Sequence, residues 1–196
     1  MPENRKPQHR LDHRNPLVLD TRELGRRAGS MRTVRFPAPA PAELGVELIG
    51  VPAGSEIDLD LRLESVMEGV LVSGTAAVQL TGECGRCLEP VTETLTVDLQ
   101  ELFAYPDSTT DDTAGHTVED ETARMEGDFL DLEPTLRDAV VLALPLTPLC
   151  QEDCAGLCAE CGERLDDLPE DHTHDAPDPR WSGLQDLIDT RTPEEK

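Results

Sequence analysis

The chain has 196 residues, 37% of them hydrophobic and only 3% aromatic, and its 41 acidic and 17 basic residues give a net charge of −24. This length predicts one domain with tails, or one domain and a small metal-binding lobe, around a modest aliphatic core. The negative charge argues against nucleic-acid binding by the whole body, because phosphates would be repelled, and it favours a basic protein partner. No apolar run approaches the roughly 18–20 residues needed to span a bilayer, so we expect a cytoplasmic protein without membrane contact.

The first 35 residues differ from the rest in charge. They contain nine Lys and Arg against four Asp and Glu, a net charge of +5, which leaves −29 on the remainder. We interpret residues 1–35 as a basic, partly disordered arm with a short strand at residues 16–20 and a short helix over residues 22–27. Either the arm contacts RNA or an acidic surface, or it is solvated or folds against its own acidic body. The candidate binding residues are Arg22, Arg26, Arg27, Arg32 and Arg35.

A β-rich core is predicted for residues 36–162. It opens at residues 36–41, where proline alternates with alanine, which is typical of a stiff polyproline spacer. Residues 56–64, 69–80 and 91–103 then show strand character, and the first of these segments places apolar residues at every second position. Gly74 indicates a bend or bulge in the second strand. Short connections predict an antiparallel meander with Cys84 and Cys87 at a hairpin tip.

Acidic segments alternate with short helices in the second half of the chain. Residues 107–126 are predicted to form a flexible acidic insert, and residues 130–144 a helix with Pro134 in its first turn. Residues 163–196 are interpreted as an acidic tail with a short helix at residues 179–189, docked by Trp181. We therefore expect an α+β fold, with an antiparallel β-sheet or partly open barrel, a few short helices and a cysteine-rich metal-binding turn.

All six cysteines belong to two motifs, a C-x2-C at residues 84–87 and a C-x3-C-x3-C-x2-C at residues 150–161. Four thiolates in close spacing suit the tetrahedral coordination of a structural zinc ion. The sequence allows two ways of choosing four metal ligands from the six cysteines. The one we favour joins the two C-x2-C turns through Cys84, Cys87, Cys158 and Cys161. The other is a local site made by Cys150, Cys154, Cys158 and Cys161.

Two histidines near the second motif are not assigned as ligands. His172 and His174 stand one residue apart in an acidic segment, where histidines are more often solvated, and four thiols are already available.

Other roles for the cysteines compete with zinc. Disulfides are disfavoured because the sequence predicts no signal peptide and the chain is too long to need them. A thioredoxin-type dithiol needs its C-x2-C at the start of a helix, whereas Cys87 precedes a Leu-Glu-Pro strand connection. The three-cysteine cluster motif of radical enzymes that use S-adenosylmethionine matches formally, but its βα-repeat context is missing. Neither a phosphate-binding glycine loop nor a G-x-S-x-G motif is present.

Several blocks of the sequence, in this order along the chain, resemble the YceD family, also called domain-of-unknown-function family 177. They are Pro-Leu-Val-Leu-Asp at residues 16–20, Cys-Gly-Arg-Cys-Leu-Glu-Pro at 84–90, Asp-Leu-Glu-Pro and the following helix at 131–145, the cysteine run at 148–162, and Asp-Pro-Arg-Trp at 178–181.

The family is described as large ribosomal RNA subunit accumulation proteins. The resemblance implies a non-enzymatic role in the synthesis, processing or stability of 23S ribosomal RNA and in assembly of the large subunit. We expect the acidic body to engage a basic ribosomal protein or the pre-ribosomal particle, with the arginine arm contacting ribosomal RNA. The alternatives are a zinc-containing nucleic-acid-binding module and a thiol or iron–sulfur redox enzyme. No catalytic residue is transferred.

Overall fold

The computed structural model describes residues 11–107 and 123–174. The chain divides into two compact units, Met1–Glu152 and Asp153–Lys196. The predicted helix at residues 179–189, Trp181 and most of the predicted insert at residues 107–126 lie outside the described residues.

Antiparallel strands build most of the first unit. A two-stranded sheet pairs β1 (Val18–Asp20) with β8 (Phe129–Asp131). The described residues contribute six strands to the larger sheet: β2 (Met31–Pro39), β3 (Leu44–Gly45), β4 (Ile49–Val51), β5 (Glu56–Ser65), β6 (Gly69–Glu83) and β7 (Pro90–Ala104). Hydrogen-bonded neighbours follow the order β2-β5-β6-β4-β3, and β7 pairs with β6 outside this path. β5 and β4 pair with successive parts of β6, at residues 70–77 and 81–82, whereas β7 pairs with β6 along its whole length. The sheet is not closed, and the predicted α+β class is confirmed.

Strict alternation of apolar and polar residues creates the core face of the sheet. In β5 the side chains of Ile57, Leu59, Leu61 and Leu63 are buried, while intervening positions are exposed or half-buried. Strand neighbours point to opposite faces, so this pattern buries one face and leaves the other in water. β6 and β7 follow the same rule, and the three long strands that the sequence predicts are confirmed.

Helix α1 (Glu133–Ala143) contributes to the same core. Leu136 and Val140, four residues apart on one helix face, are fully buried. Pro134 lies in the first turn, as predicted, and the Asp131 carboxylate accepts a hydrogen bond from the Glu133 amide at 3.0 Å. The helix begins later than predicted because residues 129–131 pair with β1 instead. No helix in the described residues combines the length and the apolar composition that crossing a membrane requires.

The predicted helix over residues 22–27 is wrong. Those residues form one turn, in which the Leu24 and Gly25 amides both donate to the Thr21 carbonyl. Six residues are too few to support a helix by local bonds alone. Tertiary contacts determine the conformation of this segment, since the amide and the hydroxyl of Thr21 both donate to the Asp128 carbonyl, at 2.9 and 2.8 Å.

The polyproline spacer predicted at residues 36–41 is also wrong, because β2 continues to Pro39 and pairs with β5. The prolines stand at the odd-numbered positions 37, 39 and 41, and the even-numbered residues between them hydrogen-bond to the neighbouring segment. The Ala40 amide, for example, donates to the Ser55 carbonyl at 2.8 Å. An edge strand tolerates proline where its missing N–H would have faced solvent. The strand therefore crosses the arm–core boundary that the sequence suggested after residue 35.

Gly74 in the middle of β6 allows β5 to approach closely. A Cβ atom at this position would lie 2.1 Å from the Asp60 carbonyl oxygen and 2.9 Å from the Leu61 Cα. We therefore expect Gly74→Ala to lower the free energy of unfolding by about 1–3 kcal/mol, because two paired backbones must separate.

Urea titration followed by circular dichroism measures this change. Ser73→Ala, at the neighbouring half-buried position, is the control and should stay within about 0.5 kcal/mol of the parent. Equal stabilities of the two variants would contradict the close approach.

Candidate metal centre

The first candidate site begins at the tip of the β6–β7 hairpin, residues 84–89. The Cys84 amide donates to the Glu89 carbonyl at 2.8 Å, and the Leu88 amide donates to the Cys84 carbonyl at 2.9 Å. Leu88 adopts a left-handed conformation with φ 63°, which closes the turn. Cys84 and Cys87 are therefore held on a tight, hydrogen-bonded loop and are both buried.

The loop that follows α1 meets this hairpin tip. The Gly85 amide donates to the Pro148 carbonyl at 2.8 Å, and the Cys87 and Cys150 sulfur atoms lie 3.5 Å apart. A side chain at position 85 would come within 3.0 Å of the Thr147 methyl carbon, so glycine keeps the loop close. Cys84, Cys87, Cys150 and Cys154 form a group whose four sulfur atoms all lie within 4.8 Å of one another.

Backbone amides shape the acidity of this group. Burial of Cys84 raises the pKa of its thiol, but the amides of Cys150, Cys87 and Arg86 outweigh burial and lower that pKa to about 6. Amides that point at a sulfur atom stabilise its thiolate, which is the form that binds metal. The four-cysteine group can therefore hold a metal ion.

A second group lies in the second unit and contains Cys158, Cys161, His172 and His174. The Cys158 sulfur lies 3.2 Å from Nε2 of His174, and the Cys161 sulfur lies 3.6 Å from Nε2 of His172. The amides of Cys161 and Glu160 lower the pKa of the Cys158 thiol to about 6, with a further contribution from the His172 side chain. This set of two sulfur and two nitrogen atoms can also hold a metal ion.

The structure divides the six cysteines in neither of the two ways considered from the sequence. The hairpin tip is joined by the first half of the later motif, and the second half is grouped with histidines. Sequence reasoning left out His172 and His174. The signal that points to them is a C-x2-C turn followed, eleven residues after Cys161, by an H-x-H pair. This pair is shorter than the H-x3–5-H spacing of common zinc fingers.

Four of the five candidate arginines of the arm lie against acidic residues of the same chain. Arg32 pairs with Glu23 at 2.7 Å, Arg35 pairs with Asp60 at 2.8 Å, and Arg22 pairs with Asp20. Arg26 lies 3.6 Å from Asp107 and 3.5 Å from Asp128, and its guanidinium lies 4.9 Å from the Tyr105 ring centroid. Arg27 makes no ion pair with any described residue. RNA contact by these residues stays a prediction.

Comparison with known proteins places the chain among bacterial relatives. Proteins of Mycobacterium tuberculosis H37Rv and Mycobacterium bovis, each described as uncharacterized, are 48% identical to it over 174 residues, covering 89% of this chain and 82% of theirs. A Mycobacterium leprae protein, also described as uncharacterized, is 43% identical over 180 residues, covering 92% of this chain and 81% of its own. No solved structure matches the chain.

A protein-family model matches residues 72–188, a range that contains β7, α1 and all six cysteines. Its description is "Large ribosomal RNA subunit accumulation protein YceD". The match covers more than half of the chain and confirms the resemblance seen in the sequence. The chain therefore belongs to the YceD family, and this membership supports a role in biogenesis of the large ribosomal subunit.

Proposed function

We propose that this protein is a non-enzymatic factor that supports accumulation of 23S ribosomal RNA by binding a basic ribosomal protein of the pre-ribosomal particle in the cytoplasm. The family match over residues 72–188 carries the ribosomal part of the proposal. The net charge of −24 supports the nature of the partner, because an acidic surface attracts basic proteins and repels phosphate.

The solvent face of the sheet supports such an interaction. Strand register places Asp60 of β5 and Asp98 of β7 on either side of Thr75, with Asp58 at the next outward position of β5. Arg35 already pairs with Asp60, whereas Asp58 and Asp98 are exposed and have no cationic partner among the described residues. This leaves two carboxylates available to lysine or arginine residues of a partner.

Contact between the arm and ribosomal RNA is a second part of the proposal. The ion pairs that hold Arg22, Arg32 and Arg35 are largely exposed, and pairs of this kind are weak because water and salt screen the two charges. Phosphate groups can therefore compete with these carboxylates for the guanidinium groups at a small energetic cost.

We further propose that Cys84, Cys87, Cys150 and Cys154 bind a structural zinc ion. Four thiolates match the donor set of structural zinc sites, and the amides around Cys84 provide hydrogen bonds of the kind that stabilise such ligands. Within the first unit, the ion would fix the hairpin tip to the loop that follows α1.

Depletion of the protein in a bacterium that carries its gene should lower the ratio of 23S to 16S ribosomal RNA and reduce the free large-subunit peak in sucrose gradients. Quantitative RNA electrophoresis measures the ratio, and expression of the intact chain from a plasmid should restore it. A normal ratio together with a normal subunit profile would count against the ribosomal role.

Neutralising the sheet face should weaken binding to the basic partner. We expect the double variant Asp58→Asn/Asp98→Asn to capture less of a basic large-subunit protein than the parent does, and the difference should shrink as salt rises, because screening weakens exposed charges. Pull-down from purified ribosomal proteins at two salt concentrations measures this.

Glu47→Gln/Glu68→Gln removes the same number of charges from exposed turns between strands and is the matched control. Equal capture by the two double variants would show that total charge, and not this face, attracts the partner.

Cys150→Ser should release the metal of the first group, with affinity for zinc at least about 100-fold weaker, because an alcohol is a poor substitute for a thiolate ligand. Zinc competition with a chromogenic chelator measures the affinity. Glu152→Ser changes an exposed residue of the same loop and should leave the affinity unchanged. Equal affinities of the two variants would remove Cys150 from the ligand set.

A further inference from the structure

The donor atoms of Cys158, Cys161, His172 and His174 converge although the cysteines and histidines come from separate parts of the second unit. All four donor atoms lie within 4.8 Å of one another. Each histidine directs Nε2 at a different sulfur, His174 at Cys158 and His172 at Cys161. The two imidazole rings lie nearly perpendicular at 89°, with centroids 4.5 Å apart. Solvated histidines have no reason to adopt this arrangement.

The turn that carries Cys158 and Cys161 has the same backbone hydrogen bonds as the hairpin tip. The Cys158 amide donates to the Glu163 carbonyl at 2.8 Å, as the Cys84 amide does to Glu89. The Gly162 amide donates to the Cys158 carbonyl at 2.9 Å, as the Leu88 amide does to the Cys84 carbonyl. Gly162 and Leu88 have the corresponding left-handed φ values of 74° and 63°. The chain thus builds the same cysteine turn twice.

Apolar packing cannot account for the structure of this segment. Among residues 153–174 only Cys154 and Gly156 are buried, and the 3-10 helix at Leu165–Asp167 has no buried residue. A segment of this size without a hydrophobic core is ordinarily held by disulfides or a metal ion. All cysteines of this segment are free thiols, which leaves a metal ion as the means of stabilising its structure.

We propose that Cys158, Cys161, His172 and His174 bind a zinc ion of their own, separate from the four-cysteine group. Two thiolates and two imidazoles form a closed tetrahedral set that zinc prefers, and two thiolates balance the charge of the divalent ion. The histidines close a loop from Cys161 to His174, so the ion organises the second unit. This inference does not rest on the ribosomal role.

Metal content of histidine variants tests the proposal. The full-length protein, loaded with Zn²⁺ and passed over a chelating resin, should hold two zinc ions per chain. The double variant His172→Asn/His174→Asn should hold one. His13→Asn is the matched control, since His13 packs on Phe129 and belongs to neither group. It should hold two. Full wild-type zinc content in the double variant would overturn the proposal.

Replacement of zinc by Co²⁺ identifies the ligands. We expect the ligand-field bands of the parent protein to be the sum of an all-sulfur centre and a mixed sulfur–nitrogen centre, and the double variant to keep only the former. If the parent binds one ion and the histidine variant loses it, the mixed site stands and the four-cysteine site fails. If the bound ion of the parent shows only all-sulfur bands, the mixed site is refuted.

Limited digestion with trypsin gives a readout independent of metal content. Arg164 lies between the two ligand pairs, and the zinc-loaded parent should resist cleavage after it. The double variant should be cleaved there at least about tenfold faster, while circular dichroism of the sheet is unchanged. Equal cleavage rates would overturn the proposal, because an ion bound at these residues must restrain the loop.

Discussion

The unbroken pairing of β6 with β7, fifteen residues in each strand, is the constraint on which the candidate site depends. Register along this ladder fixes which residues form the hairpin tip, and it places Cys84 immediately after the last paired residue of β6. A shift of one residue would exchange the core and solvent faces of both strands, so burial of Val72, Val78 and Leu99 protects the tip geometry as well as the core.

Main-chain N–H groups lower the pKa of a cysteine thiol in both cysteine turns. A buried thiol ordinarily resists ionisation, yet Cys84 lies where the backbone presents several N–H groups to one sulfur, and these groups outweigh the desolvation. The turn at Cys158 achieves the same result with its own amides and a neighbouring imidazole. The acidity of the thiols at the two candidate sites therefore depends largely on main-chain conformation, and the residues between the cysteines need only permit the turn.

Alternation at a period of two made β5, β6 and β7 predictable, because each strand buries one face. β3 and β4 are too short to show a period, and the prolines of β2 were interpreted by composition alone. The sequence indicated six candidate cysteine ligands but not their grouping, which depends on where the chain emerges after α1 and on the hydrogen bond from the Gly85 amide to the Pro148 carbonyl. His172 and His174 were considered and not assigned as ligands, since proximity in space, and not their spacing in the sequence, brings them to the sulfur atoms.

The proline pattern of β2 has a consequence for the behaviour of the protein in a crowded cell. Among the described strands β2 lies at an edge of the sheet, where unpaired backbone groups can recruit a strand from another molecule and start aggregation. Pro37 and Pro39 occupy the positions whose backbone nitrogen faces outward, and proline has no hydrogen to donate there. An incoming strand would find acceptors without matching donors along this stretch, so the edge discourages intermolecular sheet extension without needing a covering element.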